Sequence, residues 1–250
     1  MAKENELKAG DQLVPRSCFN NQLPEKQVDG SVLKVHSIFR SIQGEGPLVG
    51  EPAIFIRMAG CNLQCKGCDT DYTSEPTSWD PLDLAGHICL MATIAGFNPL
   101  VVITGGEPFR QNITRLVEGL LFAGLRVQIE TNGTLALKKF PYGQVTIVCS
   151  PKTPKINPVL VPHISAYKYV IQANGVDPED GLPSKILGKD QRVARPIYGG
   201  PMKITKRKVF VQPFDDQNNP ENSNQAAALA VALTYGYRFG LQIHKLVELL

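Results

Sequence analysis

Short apolar runs alternate with amphipathic runs along the chain from about residue 32. Short runs rich in Val, Ile and Phe are typical of buried strands. They predict strands at residues 53–58, 100–104, 126–130, 145–149, 167–171, 209–212 and 239–243. Strands that are separated by helical patterns normally lie parallel in one sheet with the helices outside it. The pattern therefore predicts an α/β protein.

Helix signals fall between several of these strands. Asp80 offers an N-cap and Pro81 suits the first helical position. Apolar residues then recur at helical spacing, at Leu84, Ile88, Met91 and Ala95. A second helix is expected over residues 113–121, before Gly124, and a third over residues 224–235.

Composition restricts the classes of protein that fit. At 250 residues the chain is long enough for one α/β domain, and its net charge of +3 is too small to indicate nucleic-acid binding. Residues 1–30 are polar and hold no apolar run, so we expect a flexible extension followed by a catalytic domain at residues 31–250. We expect no membrane contact and a cytoplasmic location, where cysteines are thiols or metal ligands.

Three cysteines, Cys61, Cys65 and Cys68, lie within eight residues directly after the first predicted strand. Closed structural metal sites usually have four protein ligands, so three thiolates leave one coordination position open. The interpretation that we favour is a 4Fe-4S cluster whose fourth iron binds S-adenosylmethionine. The alternative is a zinc knuckle completed by one of the four histidines, which are His36, His87, His163 and His244.

Unusual residues follow the other predicted strands as well. Gly105-Gly106-Glu107-Pro108 follows the second strand, and Ser150-Pro151-Lys152 and Gln212-Pro213-Phe214-Asp215 follow later ones. The carboxyl ends of parallel strands meet at one edge of a sheet, so these loops converge with the cysteine loop. The two glycines allow backbone to approach a ligand closely. We expect Glu107 to hold either a neighbouring strand edge or the amino group of a ligand.

The cysteine spacing, Asp69 after the third cysteine and the downstream Gly-Gly-Glu-Pro sequence resemble the radical S-adenosylmethionine (radical SAM) superfamily. Ser41 to Pro47, Asp180 to Pro183, Val211 to Pro213 and Leu241 to Lys245 are similar to the 7-carboxy-7-deazaguanine synthase family. That resemblance covers roughly residues 34 to 250. It implies a shortened parallel β/α barrel, usually a homodimer, that contains a 4Fe-4S cluster and requires S-adenosylmethionine and magnesium.

The reaction implied by the resemblance is the conversion of 6-carboxy-5,6,7,8-tetrahydropterin to 7-carboxy-7-deazaguanine with loss of ammonia, on the route to queuosine. A 5′-deoxyadenosyl radical starts the reaction, so no side chain need act as the principal catalyst. Low-potential electrons are needed, which implies a reductant of the flavodoxin type. The short spacing between the first two cysteines also indicates that the extra cluster-binding elaboration of some family members is absent.

The resemblance also assigns individual residues. Cys61, Cys65 and Cys68 hold the cluster, and Thr70 offers its hydroxyl to Mg²⁺. The cofactor-binding residues that it implies are Gly67, Cys68, Asp69, Gly106, Ser150, Pro151, Lys152, Gln212, Pro213, Phe214 and Asp215. The substrate-binding residues that it implies are Ile42, Gln43, Gly44, Arg57, Thr104 and Leu250. Arg57 suits the substrate carboxylate, because a guanidinium can bind a carboxylate with two hydrogen bonds. Leu250 would act through its terminal carboxylate.

Two other functions are compatible with parts of the sequence. An activase that installs a glycyl radical on a partner enzyme would share the chain length and the cysteine spacing. It would leave Gln43-Gly44-Glu45-Gly46 and the carboxyl-terminal run unexplained. A zinc-stabilised binding module without catalytic activity is the second alternative. The presence of a reducible iron–sulfur chromophore would distinguish an enzyme from such a module.

Overall fold

The structure is a computed structural model, and it describes residues 29–65, 68, 70, 75–185, 191–215 and 223–247. Most of the expected extension at residues 1–30 lies outside the described residues, so its flexibility stays a prediction. Within the described residues no helix is long and apolar enough to cross a bilayer.

The core of the molecule is one nine-stranded, mostly parallel sheet. Its strands are β1 (Leu33–Ile42), β2 (Pro52–Met58), β3 (Thr77–Trp79), β4 (Leu100–Gly105), β5 (Arg126–Thr131), β6 (Thr146–Cys149), β7 (Ile164–Ile171), β8 (Val209–Pro213) and β9 (Arg238–Phe239). Their order across the sheet is β3-β1-β2-β4-β5-β6-β7-β8-β9. The strands from β2 onwards in this order are parallel, whereas β1 pairs antiparallel with β2 and with β3. The sheet therefore has two open edges, as a shortened barrel does.

In the part of the chain that the structure describes, four α-helices connect or follow the strands, namely α1 (Pro81–Ala95), α2 (Thr114–Phe122), α3 (Ser223–Tyr235) and α4 (Ile243–Leu246). Helix α1 begins as the sequence predicts, because the Asp80 carboxylate accepts hydrogen bonds from the backbone N–H groups of Leu82 and Asp83. It ends at Gly96, which has a φ of 75°. Leu84 and Ile88 are buried as expected, and Ala92 takes the next position on that face.

The two faces of the sheet have different chemistry. Alternate strand residues such as Ile103, Ile129 and Tyr169 join the large apolar core that also contains the buried faces of α1, α2 and α3. The intervening residues point to the opposite, inner face. This inner face is apolar near the start of the strands and polar further along them, where Glu130 and Lys168 lie. The polar part lies toward the carboxyl ends of the strands.

Two predictions about the strands were incomplete or wrong. The sequence analysis did not identify β1 or β3, because their mixed polar and apolar residues lack a continuous apolar run. The last predicted strand, at residues 239–243, was wrong: β9 ends at Phe239, and Ile243 begins α4. Gly240 marks the change, and its N–H donates to the carbonyl of Val211.

Candidate active site

The cysteine loop begins where β2 ends. Cys61, Cys65 and Cys68 are all half-buried, and the N–H of Cys68 donates to the carbonyl of Cys65 at 3.3 Å. The N–H of Leu63 points at the sulfur of Cys61 at 3.4 Å. Such an N–H stabilises a thiolate more than a thiol. The local backbone is therefore arranged to support sulfur ligands.

Burial of the cysteines affects their protonation. Burial raises the pKa of Cys61 to about 12 and also raises the pKa of Cys65, so these thiols lose their protons only when a cation replaces them. Among the described residues, no three His, Cys, Asp or Glu side chains lie close enough to share one metal ion. In a 4Fe-4S cluster each cysteine binds a different iron, so the sulfurs need not converge on one point.

A ring of hydrogen bonds ties the cysteine loop to the end of β5. Asn62 donates to the Thr134 hydroxyl at 2.8 Å, and Asn132 donates to the Asn62 side-chain oxygen at 3.0 Å. The Thr134 hydroxyl closes the ring by donating to Asn132 at 2.6 Å. Each side chain both donates and accepts, so the ring fixes the loop relative to the sheet. The sequence analysis did not find Asn62 or Thr134 as site residues.

The Glu107 side chain connects the end of β4 to the end of β5 through hydrogen bonds. Its carboxylate is fully buried and accepts hydrogen bonds from the Thr131 hydroxyl and from the N–H groups of Asn132 and Phe109. Burial raises its pKa to about 7, although these hydrogen bonds lower it. Of the two roles expected for Glu107, the structure therefore supports the strand-edge role. Its own N–H donates to the carbonyl of Gly60, beside Cys61, at 3.0 Å.

Gly106 lies directly against the cysteine loop. A Cβ atom placed on it would lie 2.1 Å from the Gly60 carbonyl oxygen and 2.9 Å from the Cβ of Cys61. No side chain fits there without moving one of the two loops. The Gly-Gly sequence thus serves the close packing of backbone against backbone.

The other expected cofactor-binding residues lie at the carboxyl ends of β6 and β8. Pro151 is buried, and the Lys152 ammonium donates to the Ser150 hydroxyl at 2.6 Å. Lys152 is also near enough to Cys65 to lower the pKa of its thiol, against the larger effect of burial. Gln212 is buried, and Lys245 of α4 pairs with Asp215 at 2.8 Å. Pro213 and Phe214 lie between these two residues. Loops from β2, β4, β6 and β8 thus share one edge of the sheet.

The expected substrate-binding residues begin beside this edge. Ile42 ends β1, and Gln43 is buried immediately after it. Gly44 packs against His244, because a Cβ on Gly44 would lie only 1.9 Å from the ring Nδ1. Arg57 and Thr104 are paired across β2 and β4 and point to the same face. The Arg57 guanidinium lies 5.1 Å from the centre of the Phe39 ring.

A group of charged and amide side chains on the inner face was largely missed by the sequence analysis. Lys168 of β7 forms ion pairs with Glu45 and with Glu130, the latter at 2.9 Å. Gln43 donates to Glu130 at 3.0 Å, and Gln242 donates to Glu45. The sequence did contain a signal for this group, because Lys168 is the one charged residue in a strand that is otherwise mostly apolar and aromatic.

Some expected site residues are not described. Gly67, Asp69 and Leu250 lie outside the described residues. Thr70 is described and half-buried, and its carbonyl faces the Cys68 sulfur at 3.7 Å. The role of its hydroxyl stays a prediction.

Two comparisons concern the cysteine loop and the fold. A family model described as a 4Fe-4S single cluster domain matches residues 42–131. The fold is similar to the crystal structure of QueE from Escherichia coli, with a TM-score of 0.59 and 20% sequence identity, over 84% of this chain and 93% of that chain. The family model includes the cysteine loop at the end of β2, and the structural comparison shows that the two chains share a fold.

Relatives in sequence give the family. The 7-carboxy-7-deazaguanine synthase of Rhodospirillum rubrum is 46% identical over 88% of this chain and 94% of its own length. The enzyme of the same name from Rickettsia prowazekii is 42% identical over 87% of this chain and 88% of its own length. The chain belongs to the 7-carboxy-7-deazaguanine synthase family, whose members are radical SAM lyases of queuosine biosynthesis.

Proposed function

We propose that the chain converts 6-carboxy-5,6,7,8-tetrahydropterin to 7-carboxy-7-deazaguanine and releases ammonia. The observation that carries this proposal is the position of two half-buried carboxylates, Glu45 and Glu130, on the inner face. A pterin has an aminopyrimidinone edge with N–H donors and a ring carboxylate at its other end. Carboxylates can accept hydrogen bonds from the donor edge.

We assign Gln43 and Thr104 to the pterin ring, with Ile42 and Gly44 as backbone contacts beside it. We assign Arg57 to the substrate carboxylate. The shared face of Arg57 and Thr104 supports both assignments, since one flat ligand lying along β2 and β4 would reach both side chains. The proposal for Leu250 is that its terminal carboxylate also contacts substrate.

Cys61, Cys65 and Cys68 would hold the cluster, which together with S-adenosylmethionine supplies the radical chemistry. The backbone around Gly67, Asp69 and Gly106 would bind the S-adenosylmethionine near the cysteine loop. We propose that its remaining contacts come from Ser150, Pro151, Lys152, Gln212, Pro213, Phe214 and Asp215. The chain's own contribution is to orient both ligands and to exclude water from the space between them.

We further propose that the Thr70 hydroxyl contributes to a Mg²⁺ site completed by substrate and water. Oxygen ligands suit this ion, and Mg²⁺ normally keeps several waters. A hydroxyl two residues from Cys68 would place such an ion between the cluster and the substrate carboxylate.

Two partners belong to the proposal. A homodimer is supported by the exposed apolar side chains of Leu90 and Ile94 on α1 and of Phe97 just after it. Light scattering of the purified protein would test it. A flavodoxin-type protein would deliver the electrons, and its reduced form should replace dithionite in the assay. We also propose that residues 1–30 are an extension that catalysis does not need, so a variant that begins at residue 31 should keep full turnover.

Anaerobic reconstitution with iron and sulfide tests the function directly. The reconstituted chain should hold a brown cluster and form 7-carboxy-7-deazaguanine and ammonia from synthetic 6-carboxytetrahydropterin, S-adenosylmethionine, Mg²⁺ and dithionite. Cleavage of S-adenosylmethionine without pterin-dependent product would refute the substrate assignment but keep the radical SAM chemistry. Bound zinc without sulfide would refute both.

A further inference from the structure

Lys168 is the buried positive charge among the polar residues of the inner face. It lies in the middle of β7, between Tyr167 and Tyr169, which point into the apolar core. Only 9% of its side chain is exposed. A lysine at such a position is unfavourable unless its charge is paired. Its location therefore calls for an explanation from its partners.

Both partners come from other parts of the sheet. The Lys168 ammonium donates to Oε2 of Glu45, in the loop after β1, and to Oε2 of Glu130 in β5. Oε1 of Glu130 accepts from Gln43 at 3.0 Å and from Gln128 at 3.1 Å, and Oε1 of Glu45 accepts from Gln242. One lysine thus joins two carboxylates whose other oxygens are oriented by amides.

The charges of Lys168, Glu45 and Glu130 do not cancel. Two carboxylates and one ammonium leave one net negative charge, in surroundings that water reaches poorly. Without Lys168, the two carboxylates would repel each other and turn apart.

We propose that Lys168 is a positioning residue for substrate binding, because it holds Glu45 and Glu130 together so that both carboxylates face the inner surface as acceptors. This inference rests on the proposed function, in which those carboxylates accept from the donor edge of the pterin. Lys168 itself need not touch the substrate. The direction of its titration agrees: burial alone would lower the pKa of Lys168, but the carboxylates of Glu130 and Glu45 raise it well above its usual range.

The test compares Lys168→Met with the unchanged enzyme, each reconstituted anaerobically. We expect the KM for 6-carboxytetrahydropterin to rise by about 10-fold or more, while kcat at saturating substrate changes by less than about threefold. The cluster absorbance and the slow cleavage of S-adenosylmethionine without pterin should stay within about twofold. A residue needed only for folding would lower all of these quantities together.

A second variant separates positioning from general destabilisation. In the Glu45→Gln background one of the two like charges is already absent, so the additional effect of Lys168→Met on KM should be much smaller than in the unchanged enzyme. Lys168→Met alone leaves two negative charges in the group, whereas the double variant leaves one net negative charge, as in the unchanged enzyme, which should restore folding if Lys168→Met alone folds poorly. Equal effects of Lys168→Met in the two backgrounds would overturn the proposal.

Lys208→Met is the matched control. Lys208 is also a partly buried lysine, but it donates to the carbonyl of Met202 and lies outside the inner-face group. The Lys208→Met variant should have the same KM for 6-carboxytetrahydropterin as the unchanged enzyme. If Lys168→Met kept the KM of the unchanged enzyme, the positioning role would be overturned. The proposed function would still stand, provided that the unchanged enzyme forms product. Failure of the unchanged enzyme to form product would instead refute the proposed function.

Discussion

Gly106→Ala should separate the two loops that enclose the cofactor region. In the structure, an added Cβ would lie 2.1 Å from the Gly60 carbonyl oxygen, 2.5 Å from its carbonyl carbon and 2.9 Å from the Cβ of Cys61. Ordinary van der Waals contact begins at 3.4 Å. All three neighbouring atoms belong to backbone or to a Cβ, so no flexible side chain can move away instead.

The magnitude follows from how firmly the two loops are connected. Gly60 must retreat by about 1 Å, which strains the hydrogen bonds from Glu107 N–H to Gly60 and from Gly106 N–H to Met58. Overpacking of this kind costs about 1–3 kcal/mol of stability. A displacement of about 1 Å at reacting groups can lower a rate by about 100-fold. We therefore expect Gly106→Ala to lose about 100-fold in product formation and to bind less iron.

The assay measures iron, sulfide and turnover after identical anaerobic reconstitution of two variants. Gly143→Ala is the control, because a Cβ on Gly143 meets no atom within 4 Å. It should match the unchanged enzyme. If Gly106→Ala held a full cluster and turned over substrate as fast as Gly143→Ala, close contact between the loops would not matter and the reasoning would be refuted.

Three further variants test single contacts. Burial raises the pKa of Glu107 from 4.5 to about 7. Between these pH values the folded state keeps a proton that the unfolded state releases. The unfolding free energy of the cluster-free protein should therefore fall by about 3 kcal/mol as the pH rises from 4.5 to about 7. Glu107→Gln should flatten this dependence in urea titrations, and an unchanged slope would contradict the assignment. Asp80→Ala removes the N-cap of α1 and should lower the unfolding free energy by about 1 kcal/mol without affecting turnover; a marked loss of activity would be unexpected. Thr70→Ala should reduce the stimulation by Mg²⁺ and leave the cluster absorbance intact, whereas full stimulation would remove Thr70 from the metal site.

The sequence predicted the parallel part of the fold because burial on both faces leaves a clear pattern. Strands β2, β4, β5, β6 and β8 are short apolar runs, and each of them was identified within a few residues. Strand β1 lies outside the parallel part and most of its side chains are only half-buried, so its sequence mixes Lys34, His36 and Arg40 with apolar residues. Its assignment as a strand depends on pairing with β2, which a local pattern does not contain.

The same distinction applies to the site. The three cysteines lie within eight residues and the two glycines are adjacent, so each of these short motifs indicated chemistry by itself. The contacts that join the separate segments of the inner-face group connect residues 38 to 197 positions apart, for example Lys168 with Glu130 and Gln242 with Glu45. Only the register of β5 and β7 and the return of the chain near α4 bring these side chains together. The pairing of Glu130 with Lys168 was therefore not predicted.

The contact between the segment around Gly44 and the segment around Gln242 has a consequence for biosynthesis. Ile243 N–H donates to the Gly44 carbonyl at 3.2 Å, and Gln242 reaches Glu45 across 197 positions. A ribosome exposes the cysteine loop long before it exposes residues 242–243. The growing chain could thus bind its iron–sulfur cluster early. The pterin site, in contrast, would be completed only after residues 242–243 had been translated. Truncated products that stop before residue 242 should therefore carry iron without being competent for the ring contraction.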